Sequence, residues 1–326
     1  MTWLVTGGAG YIGSHTVHAM VAAGQRVVVL DDLSTGHADR LPPGVELVRA
    51  SMLDRQALDR VLREHQILGV VHFAARKQVE ESVQRPLLYY ESNVEGLQRV
   101  LQATVHAGVR RFVFSSSAAV YGMPDVEFVG EDTPCAPINP YGQSKLAGEW
   151  MVRSVGAAHG ISTVCLRYFN VAGAASPLLA DDGVSNLVPR VFQRLDSGDR
   201  PMLFGDDYPT ADGSCVRDFI HVTDVASAHV AAAARLTDSD SQSALVLNIG
   251  RGEGVSVLTM LDVVARITGR DTTPTIEPRR AGDPARVVAS AQRIRNELGW
   301  TARHSVEDMI STAWDAWQAR RGRIQT

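Results

Sequence analysis

The chain is expected to fold as an α/β protein: a doubly wound parallel sheet with helices on both faces, followed by a smaller C-terminal domain. Three observations predict this. Short β-branched runs alternate with helical patterns, a glycine turn opens a helix directly after the first run, and after about Gly173 the rhythm breaks into loops rich in Gly, Pro and Asp. With 326 residues, 45% hydrophobic and 21% charged, the chain can bury a large core in one α/β unit or two closely associated ones.

The elements follow in order. Strands are predicted at 3–6, 27–30, 46–49, 70–73, 112–115 and 163–167, each short, apolar and separated by enough chain for a crossover helix. Between the first two stands "TGGAGYIGSH", with Gly7, Gly10 and Gly13 spaced three apart. Glycines there permit a tight turn, close approach of backbone to a pyrophosphate and close helix packing, while the helix N-terminus favours anions. Asp31 ends the second strand, where a carboxylate accepts from both ribose hydroxyls and repels a 2′-phosphate. Strand, glycines, helix, strand and acid in that order indicate a Rossmann-type site for NAD rather than NADP. Asp32 ranks below Asp31 because solvation accounts for it equally well.

Further on, "VFSSSAAVYG" ends a strand in Ser115, Ser116 and Ser117, and "INPYGQSKLAGEW" starts a helix. Asn139 suits the cap and Pro140 the first helical position, so the helix is predicted to begin near Tyr141, with Tyr141 and Lys145 on one face. A tyrosine base needs its anion stabilised; Lys145, the helix N-terminus and a nicotinamide cation each do so. A serine hydroxyl from the strand end can bridge Tyr141 and a substrate alcohol. The boundary drawn from the change of rhythm gives residues 1–174 as the NAD-binding Rossmann domain, with some later segments returning to it, and 175–326 as the substrate domain.

Composition narrows the partners. A net charge of -4 without a basic run gives no footprint for nucleic acid or an anionic membrane. No apolar run approaches a membrane span, and the opening residues break into glycines too early for a secretory segment. Cys135, Cys165 and Cys215 cannot all pair, lack metal-ligand spacing and suit a reducing compartment, so a cytoplasmic location is expected. His72 and His221 read as core histidines, and Trp150, Trp300, Trp314 and Trp317 as packing or surface residues. No repeat, low-complexity tract or flexible linker is found.

The glycine turn, the serine at a later strand end and the Tyr-x-x-x-Lys pair resemble the extended short-chain dehydrogenases/reductases. Across essentially the whole chain, "VTGGAGYIGSH", "VVHFAARKQVEESV", "YYESNVEGL", "FSSSAAVYG", "NPYGQSK", "RYFNVAGA", "VRDFIHVTDVA" and "RRAGDPAR" resemble the UDP-galactose 4-epimerase family. The resemblance implies Tyr141 as acid/base, Lys145 as its electrostatic partner and Ser117 as a hydrogen-bonding or proton-relay hydroxyl. It implies NAD held by Gly7, Gly10, Tyr11, Ile12, Gly13, Asp31, Asp32, Ser51, Met52, Phe73, Ala74, Ala75, Lys77, Asn93, Ser115, Tyr141, Lys145 and Tyr168. The UDP-sugar would meet Lys77, Ser117, Tyr141, Asn170, Asn186, Leu187, Phe204, Arg217, Arg280, Asp283 and Val287. The implied reaction interconverts UDP-galactose and UDP-glucose through a transient 4-keto sugar, and the implied assembly is a homodimer pairing the helices at about 93–106 and 141–158.

Departures from the family pattern are local. Ala119 removes a hydroxyl after the serine run, Ser51 stands where an acid often meets the adenine amine, and Val171 and Ser290 replace a common proline and aspartate. Val287, four residues after Asp283, falls where the pocket around the sugar's C2 substituent is gated, and a small gate would admit N-acetylhexosamines. A dehydratase would place acids where Ala118 and Ala119 stand. The remaining alternatives are a UDP-glucuronate epimerase or decarboxylase and a non-catalytic dinucleotide sensor.

Overall fold

The computed structural model describes residues 2–183, 186–238, 242–280 and 282–324. The chain begins β1 (Thr2–Thr6), α1 (Tyr11–Ala22), β2 (Arg26–Asp31), β3 (Glu46–Arg49), α2 (Arg55–Glu64) and β4 (Ile67–His72). Two short helices, α3 (Val79–Gln84) and α4 (Pro86–Tyr89), lead through a π-helical turn at Tyr90–Glu95 into α5 (Gly96–His106) and β5 (Arg111–Ser115). A 3-10 turn at Ala118–Tyr121 precedes α6 (Pro140–His159) and β6 (Ser162–Tyr168). The later part contains β7 (Asn170–Ala172), α7 (Leu187–Asp196), β8 (Met202–Phe204), β9 (Val216–His221), α8 (Val222–Asp238), β10 (Ala244–Ile249), β11 (Gly254–Ser256), α9 (Val257–Thr268), β12 (Thr275–Glu277), β13 (Arg286–Val287), α10 (Gln292–Leu298) and α11 (Val306–Ile324).

Seven parallel strands form the main sheet in the order β10-β6-β5-β4-β1-β2-β3. The order reverses beside β1, which opens a crevice at the carboxyl ends of β1 and β4. Alternating residues enter different cores. Trp3, Val5, Val27 and Val29 pack with α1, α8 and α10, whereas Leu4, Val28 and Leu30 pack with α2 and α5. Each such fully buried side chain contributes roughly 1.5–3 kcal/mol, which is why these strands read as continuous apolar runs.

The smaller sheets are built from later residues. β9 pairs with β7, β11 and β13, and β8 pairs with β12. Their core gathers α7, α9 and α11 around Phe192, Phe219, Met260 and Trp314. The later segments α8, β10 and α10 join the main sheet or its core instead. Cys135, Cys165 and Cys215 are free thiols. Among the described residues, no helix is long and apolar enough to cross a membrane.

The apolar side chains of α5 lie in the core, with Leu97, Val100 and Leu101 packed against the sheet. Exposed apolar side chains lie nearby instead, with Leu87 81%, Val83 62% and Trp150 60% exposed on α4, α3 and α6.

Candidate active site

The turn after β1 is shaped by what glycine alone permits. Gly7 has φ +71°, and a Cβ there would lie 2.5 Å from the Ala74 backbone nitrogen; one on Gly13 would lie 2.2 Å from the Gly7 carbonyl oxygen. Backbone therefore meets backbone between β1 and β4, where Phe73 and Ala74 both donate N–H to the Thr6 carbonyl. Gly10 caps α1 with no side-chain hydrogen bond, and no acid stands in the first turn. Such an end presents N–H groups and positive potential to an anion, which fits a dinucleotide pyrophosphate.

Asp31 sits at the end of β2, buried, its oxygens accepting N–H bonds from Ala9 and Leu33, both at 2.9 Å. Burial raises its pKa while those bonds oppose the rise. The next loop folds back over it, with His37 N–H bonded to the Ala9 carbonyl. Asp32 is exposed and caps the Ser34 N–H. Arg40, the nearest arginine of that loop, is 3% exposed and is held by the Ala180 carbonyl and Asp182. A 2′-phosphate would thus meet Asp31 rather than a ready cation.

Other cofactor candidates divide between surface and scaffold. The Lys77 ammonium stands 5.9 Å over the Tyr11 ring, and the Tyr11 hydroxyl donates to the Gly173 carbonyl at 2.5 Å. Ile12 packs toward the sheet, as does Phe73, whose ring lies 4.6 Å from that of His229, so both contribute backbone to the turn. Ala75 is half-buried in the same segment after β4. Ser51 accepts from the Leu53 N–H in a local turn, and Met52 lies against Gly96. Asn93 is buried and binds the Arg76 N–H (2.8 Å), the Arg76 carbonyl (3.0 Å) and the Ser144 hydroxyl (3.0 Å). It brackets the loop after β4 against α6, a scaffold task its sequence position did not disclose.

The start of α6 is as the sequence predicts. The Asn139 side chain accepts from the Gly142 N–H at 2.8 Å and Pro140 fills the first turn. A Cβ on Gly142 would stand 2.5 Å from the Ala119 carbonyl, so the helix end lies directly against the 3-10 turn. Tyr141 is thereby brought to Ser117, which caps that turn by accepting from the Ala119 N–H at 3.1 Å. All three candidates are buried: Tyr141 7%, Ser117 9% and Lys145 3% exposed.

Electrostatics there depart from the expectation. Burial raises the Tyr141 pKa above the ordinary phenol value, with Tyr168 adding to the rise and the Ser117 hydrogen bond opposing it. The Lys145 ammonium is turned to the strand end, donating to the Ser115 carbonyl at 2.7 Å and lying 5.1 Å from the Phe114 ring. Burial lowers the Lys145 pKa to about 8, against the pull of Glu149. The Ser115 hydroxyl donates to Tyr168 at 3.2 Å, which places both beside the pair. Burial thus favours the protonated phenol at Tyr141. His72 and His221 are buried and hydrogen-bonded to threonine hydroxyls, as core histidines should be.

The nucleotide candidates come from five elements and the loop before β13. Arg217 on β9 forms an ion pair with Asp283, and its register partner on β13 is Val287. The Arg280 guanidinium stacks 3.7 Å from the Phe204 ring at the end of β8. Asn170, exposed, pairs β7 to β9 opposite Phe219. Asn186 caps α7 just before Leu187, and its amide donates to Asp181 at 2.6 Å. Guanidinium, amide and aromatic groups at these edges can grip a diphosphate and a base. Val287 packs beside Val120, Tyr121 and Phe169.

Fold and site together define a class: a dinucleotide-binding α/β protein of Rossmann type that carries a buried Ser–Tyr–Lys constellation. The chain belongs to the NAD dependent epimerase/dehydratase family, whose description matches residues 3–250. It is 45% identical over 325 residues to a UDP-glucose 4-epimerase of Azospirillum brasilense, covering 97% of this chain and 91% of that one. It is also similar to a crystal structure of the UDP-glucose 4-epimerase of Stenotrophomonas maltophila with bound NAD and formylated UDP-arabinopyranose (TM-score 0.94, 40% identity, 99% of both chains). The Bifidobacterium longum UDP-glucose 4-epimerase in complex with NAD+ and UDP matches with TM-score 0.91 and 35% identity over 99% of both chains.

Proposed function

We propose that this protein is an NAD-dependent UDP-hexose 4-epimerase that interconverts UDP-galactose and UDP-glucose. The observation that carries the reading is the buried contact between Tyr141 and Ser117, with Lys145 pinned to the same strand end, beside a glycine turn fitted to a dinucleotide. The turn at Gly7 to Gly13, Asp31 and Lys77 would hold NAD, which when bound supplies reversible hydride acceptance and so lets a C4 alcohol pass through a ketone.

The rest is done by side chains. With its anion favoured by Lys145 and, when bound, by a nicotinamide cation, the Tyr141 phenolate would accept the 4-hydroxyl proton as C4 gives up its hydride and would return that proton on reduction, with Ser117 bridging the two oxygens. Lys145 holds positive charge within a helical turn of the phenolate that forms. Arg217, Arg280, Asn170, Asn186, Leu187, Phe204 and Asp283 hold uridine and diphosphate, so the hexose itself can be held weakly enough to present either face. Residues 1–174 serve mainly the dinucleotide and 175–326 mainly the nucleotide sugar, with α8 and β10 crossing back. The short Val287 leaves room for an N-acetyl group, so UDP-N-acetylhexosamines belong to the substrate range. Exposed Val83, Leu87 and Trp150 beside α6 support a homodimer, to be checked by sedimentation. The free thiols suit a cytoplasmic location.

Purified protein should convert UDP-galactose to UDP-glucose without added NAD, with products resolved by chromatography. Conversion of UDP-glucuronate but of no UDP-hexose would replace this reading with a uronate epimerase or decarboxylase.

A further inference from the structure

Three serines at the end of β5 meet three residues of α6 that stand one helical turn apart. Ser117 lies against Tyr141 and the Ser115 carbonyl takes the Lys145 ammonium; the third rung joins the Ser116 hydroxyl to the Glu149 carboxylate at 2.5 Å. Glu149 is 1% exposed and is gripped by both arms of Arg167, at 2.8 and 2.6 Å, from β6. Arg167 also donates to the Tyr121 hydroxyl at 2.9 Å, and Tyr121 donates to Asn248 at 2.7 Å. Every polar end of this buried chain has a partner, and it ties α6 to β6, β10 and the 3-10 turn that carries Ser117.

We propose that Glu149, held by Arg167 and Ser116 one helical turn beyond Lys145 on α6, is a positioning residue that supplies Lys145 with its anionic neighbour inside the fold. The groups facing Lys145 are Tyr141 and Glu149 on α6, Phe114 and the Ser115 carbonyl on β5, and His72 on β4. Tyr168 on β6 joins through Ser115, and Tyr89 on α4 acts on Tyr141. His72 is driven to about 3 by burial and Lys145, so it is neutral, and Glu149 provides the anionic charge felt at Lys145. Since Lys145 must be cationic to steady a phenolate, activity should fall as pH rises through its pKa. Removing Glu149's charge moves that fall to lower pH.

The inference rests on the epimerase reading and is tested on the full-length protein with Glu149→Gln/Arg167→Met, which removes both charges yet leaves Ser116 an acceptor. Such paired replacement is often tolerated by a fold where single removal is not. The expected result is an alkaline limb of kcat displaced acidward, by less than about one pH unit because the guanidinium is lost with the nearer carboxylate, with turnover near pH 6.5 close to that of the unaltered protein. A folded double variant with an unmoved limb overturns the proposal, as does a loss uniform across pH. Glu149→Asp, which keeps the charge, should leave the limb in place; a shifted limb there also overturns it. Should the unaltered protein epimerise no UDP-hexose, the epimerase reading fails by itself, and titration of Lys145 by NMR of 15Nζ-labelled protein still decides the inference by the same shift.

Discussion

The chemistry and the grip are built differently in this molecule. Tyr141, Ser117 and Lys145 lie buried on two adjoining elements, a strand end and a helix start, each fixed by caps and short hydrogen bonds. The nucleotide candidates sit on five separate elements and the loop before β13, half-buried or exposed; Arg217 is already paired with Asp283 and Arg280 is stacked on Phe204. A proton must move between fixed atoms, so the first region tolerates little displacement. A ligand that enters and leaves must be met by groups able to exchange a protein partner for a phosphate, and the second region supplies them. The difference suits a reaction in which one end of the substrate stays clamped while the other reorients.

The largest effect should follow from Gly7→Ala. A methyl group there collides with Ala74 and faces φ +71°, so NAD retention and turnover should fall together by at least about a thousandfold. NAD released on denaturation and turnover with excess NAD check this, and full activity would show that the turn does not hold the cofactor. Arg217→Met tests the other region: KM for UDP-sugar should rise roughly 10- to 100-fold, the loss of one charge-assisted contact, with kcat changed far less. An equal drop in kcat would merge the two regions.

A pH profile sharpens the contrast. Lys145 lies near 8, below the ordinary lysine value, so the cationic fraction and kcat should decline as pH rises through about 8. UDP affinity, which rests on guanidinium contacts, should stay level over the same range. The smallest effect belongs to Asn139→Ala, which deletes the cap of α6: about 1 kcal/mol of stability should be lost, with a fall of roughly 2–4 °C in Tm and, because Tyr141 adjoins the cap, a modest loss in kcat.

Much of the first region was legible in sequence. Glycine spacing, Asp31, the Asn-Pro helix start and the Tyr141/Lys145 spacing are local signals, and the structure places them where local rules require. What could not be read is set by contacts distant in sequence. β10 pairs with β6 across some eighty residues, the α5 stripe chose the core over the surface, and Lys145 chose the Ser115 carbonyl over Tyr141. Glu149 continued the four-residue spacing, but only Arg167 on another strand gives that spacing meaning. The grip was legible through resemblance, since scattered arginines and asparagines carry no spacing of their own.

The separation of chemistry from grip is tested most directly by Tyr141→Phe, with UDP affinity measured by calorimetry and turnover of UDP-galactose measured on the same preparation. UDP affinity within about twofold of the unaltered protein, with kcat reduced by roughly a thousandfold, is the predicted result. Normal turnover would remove Tyr141 from the chemistry, and a parallel loss of UDP affinity would show that the two regions are one.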